Sequence, residues 1–283
     1  MEIKNVCVIG AGSMGSGIAQ LIAISGYTVN LVDISEEILN TIKDKIEQNL
    51  QRYYVAKNKL SEEEASKILS NIHYTLNIEE AVKNVQIVIE AILEDMELKK
   101  KLFIILDSIC EKHVILASNT SSLSITDIAS ECKYQDRIVG IHFFNPATVM
   151  KLIELIRGIK TSDKTLEIAK EFSKALKKTV VTIKDSPGFV TSRLIYVMCN
   201  EAINIKMEGI ASTEDIDTAC KLAFNFPMGP LELSDLVGLD IYNNIGEYLT
   251  NEFGEKYKPS SLLKEMIKNN LLGRKSRKGF YNY

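Results

Sequence analysis

The sequence lacks the features that mark several large classes of protein. No apolar run approaches the length needed to cross a membrane, and the opening M-E-I-K-N-V lacks the basic and apolar regions of a secretion signal. The five cysteines are scattered without a C-x-x-C pair, and no histidine stands at metal-ligand spacing. The net charge is only −3, from 34 Lys and Arg against 37 Asp and Glu. We therefore expect a cytoplasmic protein without a metal site and without a membrane or nucleic-acid partner.

The composition that remains is that of an ordinary globular protein, with 46% hydrophobic and 25% charged residues. A length of 283 residues allows about two domains. Strand and helix patterns alternate up to Asp185, whereas the pattern from Phe189 onward is helical. The sequence therefore predicts an α/β, Rossmann-type, doubly wound domain with a mainly parallel sheet over residues 1–186, followed by an all-α domain over residues 187–283.

A glycine-rich motif opens the first domain. A strand over residues 3–9 leads into G-A-G-S-M-G, and a helix and a second strand ending at Asp33 follow. In a G-x-G-x-x-G turn the three glycines permit a tight turn, close approach of a pyrophosphate, and packing of helix on strand. A terminal carboxylate accepts from the ribose 2′-hydroxyl and would repel a 2′-phosphate. We predict NAD as the cofactor, bound by Gly10, Gly12, Ser13, Met14, Gly15 and Asp33.

An insertion follows the second strand. Ser35 and Ser61 are typical helix N-caps, so a helical hairpin is expected over about residues 35–71. Its first helix and turn carry basic and aromatic residues, namely Lys43, Lys45, Arg52, Lys57, Lys59, Tyr53 and Tyr54. Such a patch could hold a phosphate-bearing ligand, although a run of charges on a helix is usually a solvated surface.

A histidine and a glutamate form the predicted centre of the site. The apolar run 138–141 reads as a buried strand that ends in His142, and the strand expected over residues 150–157 places Glu154 on its apolar face. A buried carboxylate needs a partner, and His142 is the nearest candidate. A histidine held by a carboxylate is an oriented acid/base group. The alternative is that both residues are structural, with Glu154 bridging a lysine such as Lys151.

A second polar segment is expected at the same edge of the sheet. The run S-N-T-S-S, residues 118–122, directly follows a predicted strand, and ligands of open α/β sheets bind at the carboxyl ends of the strands. The helix expected to begin at Ser124 explains that serine as an N-cap, but it does not explain Asn119 or Ser121.

These motifs together resemble the L-3-hydroxyacyl-CoA dehydrogenase family over nearly the whole chain. The resemblance rests on Gly10 to Gly15 with Asp33, Glu90-Ala91-Ile92, Ala117 to Leu123, His142 to Pro146 with Met150 to Glu154, Pro187-Gly188-Phe189, and Pro227 to Pro230. It implies catalytic roles for His142, Glu154, Ser121 and Ser192, cofactor contacts from Glu94, Lys99 and Asn119, and substrate contacts from Ser121, Asn145 and Lys57. Ser192 departs from the family pattern, which has an asparagine at that position.

The function that this resemblance implies is NAD-dependent interconversion of an (S)-3-hydroxyacyl-CoA, with 3-hydroxybutyryl-CoA as the expected substrate, and its 3-ketoacyl-CoA. It also implies a homodimer through the helical domain. The residues leave other functions open. One is a dehydrogenase of free hydroxy or sugar acids on the same fold, and another is a non-catalytic NAD-binding protein. A hydrolytic triad of Ser121, His142 and Glu154 is a third, although no G-x-S-x-G elbow surrounds the serine.

Overall fold

The computed structural model describes residues 2–283, which divide into two compact units. The first unit runs to Asp185 and the second covers Ser186–Tyr283. The first unit is a mainly parallel α/β sheet and the second is helical. The predicted fold class is therefore confirmed.

The strands of the first unit form one sheet. In chain order they are β1 (Asn5–Ile9), β2 (Thr28–Val32), β3 (Ile72–Thr75), β4 (Ile87–Glu90), β5 (Ile115–Ser118), β6 (Ile138–Phe143), β7 (Leu152–Arg157) and β8 (Thr179–Lys184). Across the sheet the order is β3-β2-β1-β4-β5-β6-β7-β8, and the neighbours are parallel except for the antiparallel pair β6 and β7. The chain moves outward in both directions from β1, so a crevice opens at the carboxyl ends of β1 and β4.

The helices of the first unit pack against this sheet. They are α1 (Ser13–Ile24), α2 (Glu36–Leu50), α3 (Glu62–Ser70), α4 (Ile78–Ala81), α5 (Met96–Ile109), α6 (Ile125–Ile128) and α7 (Asp163–Ala175). The predicted hairpin is present as α2, a π-helical turn over Gln51–Val55, and α3. Ser35 and Ser61 accept from first-turn amides as expected of N-caps. Strand residues such as Val8, Ile89 and Ile141 are fully buried and form the core with α1.

The second unit has its own apolar core. Its helices are α8 (Thr191–Met207), α9 (Thr213–Phe224), α10 (Pro230–Val237), α11 (Leu239–Phe253) and α12 (Ser261–Lys268). The helices α10 and α11 are separate because Gly238 between them has φ +109°, a backbone conformation that favours glycine. Tyr196, Leu239 and Leu263 are among the residues buried where these helices meet.

The C-terminal residues fold back onto α10. The amides of Phe280 and Tyr281 donate to the carboxylate of Asp235 over 3.0 and 2.9 Å, and the Tyr283 hydroxyl donates to it over 3.2 Å. Burial raises the pKa of the Asp235 carboxyl. A buried carboxylate needs donors, and the backbone of the tail supplies them.

Two kinds of feature are absent from the part of the chain that the structure describes. Among residues 2–283, no helix is both long and apolar enough to cross a membrane. In the same range, no group of three or more His, Cys, Asp or Glu side chains is arranged to hold a metal ion.

Candidate active site

The glycine-rich turn lies at the carboxyl end of β1, in the crevice beside β4. A Cβ on Gly10 would lie 2.5 Å from the carbonyl oxygen of Ala91, which follows β4, and a Cβ on Gly15 would lie 1.7 Å from the carbonyl oxygen of Gly10. Packing within the protein therefore requires both glycines. Gly12 differs, because a Cβ there would meet no atom of residues 2–283 within 4 Å. The side of the turn at Gly12 is thus open to a ligand.

The residues around this turn fit a dinucleotide. The helix α1 begins at Ser13 with Gly12 as its N-cap, and among the described residues no side chain caps it and no acidic residue lies in its first turn. The first-turn amides, including that of Met14, and the helix dipole therefore favour an anion at this end. Asp33 is held beside the turn, since its Oδ2 accepts from the Ala11 amide over 2.7 Å. Phosphates at α1 and a ribose hydroxyl at Asp33 match the predicted NAD contacts.

His142 and Glu154 lie directly opposite each other in the antiparallel pair β6 and β7. The Nδ1 atom of His142 is 2.9 Å from Oε2 of Glu154, and the two side chains are 5% and 1% exposed. The structure therefore brings together the two residues that the strand pattern suggested as partners, whereas Lys151 is exposed. With Nδ1 donating to the carboxylate, Nε2 is the basic nitrogen of the neutral imidazole.

The turn after β5 lies at the same edge of the sheet. The Ser121 amide donates to Oε1 of Glu94 over 3.0 Å. The side-chain oxygen of Asn119 accepts from the amide of Phe143, the residue after His142, over 2.9 Å. Hydrogen bonds therefore connect the turn that carries Asn119 and Ser121 both to Glu94 and to the backbone beside His142.

Two buried charges lie beneath this turn. Lys99, expected at the cofactor, is 1% exposed, and its Nζ is 2.6 Å from Oε1 of Glu90 and 3.3 Å from Oε2 of Glu94. Any contact of this ammonium with a cofactor has to be made alongside the two carboxylates. Glu90 was not predicted as a site residue. The signal for it is a carboxylate that ends an otherwise apolar strand, I-V-I-E.

The remaining predicted residues lie in three different places. Asn145 is exposed in the turn that follows β6, and Lys57 is exposed after the π-helical turn of the hairpin. The Nζ atom of Lys57 is 5.5 Å from the centre of the Tyr53 ring. Ser192 is the second residue of α8 in the second unit and is half-buried.

Comparison with known proteins identifies the family. The profile described as "3-hydroxyacyl-CoA dehydrogenase, NAD binding domain" matches residues 5–186, and the one described as "3-hydroxyacyl-CoA dehydrogenase, C-terminal domain" matches residues 188–283. The chain belongs to the 3-hydroxyacyl-CoA dehydrogenase family. The predicted family and the predicted cofactor, NAD, are thereby confirmed.

Individual relatives are similar to this dehydrogenase over almost its whole length. The chain is 45% identical over 279 residues to 3-hydroxybutyryl-CoA dehydrogenase of Clostridioides difficile, covering 98% of this chain and 99% of the relative. It is 45% identical over 289 residues to mitochondrial hydroxyacyl-coenzyme A dehydrogenase of Homo sapiens, covering 99% and 91%. The crystal structure of (S)-3-hydroxybutyryl-CoA dehydrogenase from Ralstonia eutropha superposes with a TM-score of 0.95 at 43% identity, covering 100% and 99%.

Proposed function

We propose that this NAD-dependent dehydrogenase interconverts (S)-3-hydroxybutyryl-CoA and acetoacetyl-CoA, with His142 as the acid/base group. The observation that carries the proposal is the buried pair of His142 and Glu154, 2.9 Å apart, at the edge of the sheet where the dinucleotide turn lies. Names of relatives that are 42–45% identical support a four-carbon substrate.

The proposed roles follow from the positions of these side chains. In oxidation, Nε2 of His142 takes the proton of the 3-hydroxyl group, and Glu154 stabilises the imidazolium by accepting from Nδ1. When bound, NAD supplies the carbon that accepts the hydride. In reduction, His142 returns the proton to the substrate oxygen. The Ser121 hydroxyl and the Asn145 side chain hold the substrate, and Glu94 fixes the Ser121 amide.

The proposed activity can be measured as oxidation of NADH with acetoacetyl-CoA, beside longer 3-ketoacyl-CoA substrates and free acids. We expect turnover that requires the coenzyme A moiety and is fastest with the four-carbon acyl group. Equal turnover of a free keto acid would assign the protein to acid dehydrogenases of the same fold. Binding of NADH without turnover of any of these substrates would indicate a non-catalytic protein.

Cofactor choice is expected to depend on the charge of Asp33. Replacing Asp33 with asparagine keeps an oxygen that can accept from the Ala11 amide but removes the charge that repels a 2′-phosphate. The wild type should prefer NADH over NADPH in kcat/KM, and Asp33→Asn should reduce that preference by at least about tenfold. A wild-type enzyme that uses both cofactors equally would contradict the role of Asp33.

A separate proposal concerns the hairpin and the phosphates of coenzyme A. The Tyr54 side chain lies beside Thr148 in the turn after β6, and burial raises the pKa of the Tyr54 hydroxyl. The hairpin therefore lies close to the segment that carries Asn145. Exposed ammonium groups of Lys57 and Lys59 lie beside Tyr53 and Tyr54, at 5.5 and 5.8 Å from the ring centres. We propose that these lysines bind phosphate groups of the substrate.

Removing both ammonium groups tests this proposal. Lys57→Ala with Lys59→Ala should raise KM for acetoacetyl-CoA about three- to tenfold and leave KM for NADH unchanged, since exposed ion pairs contribute up to about 1 kcal/mol each. Added salt should produce the same change in the wild type. The matched control is Lys160→Ala with Lys164→Ala, two exposed lysines after the carboxyl end of β7. An acetoacetyl thioester of N-acetylcysteamine, which lacks phosphates, should show no dependence on Lys57 and Lys59.

Ser192 is expected to be a weaker substitute for the family's asparagine. A serine offers one hydroxyl on a short arm, whereas asparagine offers an amide donor and a carbonyl acceptor. One net hydrogen bond contributes about 0.5–1.5 kcal/mol, so Ser192→Asn should raise kcat/KM about two- to tenfold and Ser192→Ala should lower it. A lower rate for Ser192→Asn would show that Ser192 is adapted to a different substrate.

We also propose a homodimer formed through the second unit, in the cytoplasm. Its helices expose large apolar side chains, including Leu194, Leu222 and Phe224 at 68, 81 and 62% of their area. The proposal requires that these side chains form one contiguous patch, as at interfaces between protein chains. The five cysteines, all within the described residues, are free thiols, which agrees with a reducing compartment.

A further inference from the structure

A buried hydrogen-bonded cluster lies beneath the turn after β5. We define the Glu90 cluster as Glu90, Lys99, Ser118 and the two groups they hold, the Glu94 carboxylate and the Thr120 amide. Glu90 and Ser118 are 0% exposed and Lys99 is 1% exposed. The cluster joins the carboxyl ends of β4 and β5 to the first turn of α5. It therefore lies between the elements that carry Glu94 and Ser121.

Glu90 accepts four hydrogen bonds that hold this cluster together. Its Oε1 accepts from Nζ of Lys99 over 2.6 Å and from the amide of Ile92 over 2.7 Å. Its Oε2 accepts from the Ser118 hydroxyl over 2.6 Å, and its backbone oxygen accepts from the Asn119 amide over 2.8 Å. One residue thus fixes the segment after β4, the ammonium of Lys99 and the segment after β5.

Lys99 and Ser118, two partners of Glu90, in turn contact groups of the proposed site. Lys99 is 3.3 Å from Oε2 of Glu94, and the other oxygen of Glu94 accepts from the Ser121 amide over 3.0 Å. The Ser118 hydroxyl accepts from the Thr120 amide over 3.2 Å.

Two further contacts connect the cluster to the dinucleotide turn and to the backbone beside His142. Ala91, next to Glu90, is the residue against which Gly10 packs, and Asn119 accepts from the Phe143 amide over 2.9 Å. The first connection runs through the backbone of Ala91 and the second through the side chain of Asn119, and both residues are adjacent to cluster members.

We propose that Glu90 is a positioning residue of the nicotinamide half of the cofactor site, acting through Lys99 on Glu94 and through Ser118 on the turn that carries Ser121. In a doubly wound sheet one half of the dinucleotide lies over each group of strands on either side of the switch point. Asp33 follows β2, on the adenosine side, whereas the Glu90 cluster lies at β4 and β5, on the other side. The inference rests on the proposed cofactor and substrate site. It goes beyond that site by assigning a role to Glu90 and Ser118, for which no ligand contact is proposed.

A structural role has to be separated from a positioning role, because a buried ion pair affects folding as well. Replacing Glu90 alone leaves the Lys99 ammonium buried with only the partly exposed Glu94 as a partner, which is unfavourable. The pair Glu90→Gln with Lys99→Met removes both charges and keeps similar volumes. Stability is then expected to recover, while Glu94 still lacks the ammonium that holds it.

The chain offers a matched control at the other edge of the sheet. Arg137 and Asp107 form a second buried ion pair in the first unit, 2.8 Å apart with side chains 4% and 6% exposed. Asp107 also accepts from two backbone amides, those of Lys133 and Tyr134. Arg137 directly precedes the first residue of β6, a strand length from His142. Asp107→Asn with Arg137→Met therefore makes the same change in charge away from the site.

The test measures thermal unfolding together with binding of NADH, followed by its fluorescence, and of ADP-ribose, which lacks the nicotinamide. We expect Glu90→Gln to lower Tm and the Glu90→Gln with Lys99→Met variant to recover most of it. Both should bind NADH at least about fivefold more weakly and change ADP-ribose binding less, as expected for one lost hydrogen-bonded contact. The Asp107 and Arg137 control should bind both ligands as the wild type does.

Three outcomes would overturn the proposal. The first is that the double variant recovers NADH affinity together with Tm. The second is that the affinities for NADH and ADP-ribose fall by the same factor. The third is that the Asp107 and Arg137 control weakens NADH binding as much as the Glu90 variants do. If the double variant does not fold, Ser118→Ala removes one hydroxyl and should weaken NADH binding about threefold with little effect on ADP-ribose. An unchanged NADH affinity of that variant would also overturn it. Because binding is measured without substrate, a failure of the proposed acyl-CoA activity is distinguishable from a failure of this inference.

Discussion

Replacing His142 with glutamine should lower kcat with acetoacetyl-CoA by roughly 10²- to 10⁴-fold, the usual contribution of a general acid–base group. Glutamine retains a polar side chain of similar reach but can neither take the substrate proton in oxidation nor return it in reduction. NADH binding should be unchanged, because the dinucleotide turn lies on β1 and α1 rather than on β6. Stopped-flow measurement of acetoacetyl-CoA reduction gives the change in rate, and fluorescence titration with NADH gives the change in cofactor affinity.

A second histidine supplies the control for this experiment. His113 is exposed and pairs with Glu111 over 3.2 Å, so His113→Gln changes the same residue type in the same unit without touching the site. Its kcat should equal that of the wild type. Loss of less than tenfold in His142→Gln would show that another group transfers the proton. The companion variant Glu154→Gln should lower kcat by a smaller factor, since it leaves the imidazole in place and removes only its orientation and charge stabilisation.

The glycines of the dinucleotide turn should differ sharply in what their replacement by alanine does. A methyl group on Gly12 meets no described atom within 4 Å, so Gly12→Ala should change the free energy of unfolding by no more than about 1 kcal/mol, the range of N-cap substitutions. The same methyl group blocks the approach of a pyrophosphate to the backbone. Losing charge-assisted hydrogen bonds, at about 1.5–3 kcal/mol each, should weaken NADH binding by more than about tenfold.

Gly15→Ala should instead damage the protein itself. Its Cβ would lie 1.7 Å from the carbonyl oxygen of Gly10, a backbone atom, so α1 has to move away from β1. We expect a loss of about 1–3 kcal/mol in the free energy of unfolding, as for other overpacked sites, together with weaker NADH binding. Chemical denaturation and NADH titration of both variants test the contrast. Equal stability of the two variants, or normal NADH binding by Gly12→Ala, would contradict the proposed path of the cofactor.

Much of the fold could be predicted because its signals are local. The three glycines from Gly10 to Gly15 stand at a fixed spacing within six residues, so the motif is recognisable from the sequence. The N-caps Ser35 and Ser61 act on amides three residues away, so the hairpin was recognisable without knowledge of the rest. The two-residue period of a strand was enough to place Glu154 on an apolar face. In each case the interacting groups lie within a few residues of each other.

The tertiary structure decided what depends on strand order and register. His142 and Glu154 are 12 residues apart, and their 2.9 Å contact exists because β6 and β7 pair in antiparallel register. Glu90 and Ser118 are 28 residues apart and meet because β4 and β5 are parallel neighbours with their carboxyl ends at one edge.

The tail follows the same rule, since Phe280 lies 45 residues beyond Asp235, the carboxylate that holds it.

The sequence by itself determined the cofactor motif, the family and the residues at strand ends, because each is encoded in neighbouring residues. Only the tertiary structure decided which buried polar groups are partners, because an isolated buried charge is unfavourable in every fold and its partner depends on the segments that packing brings together.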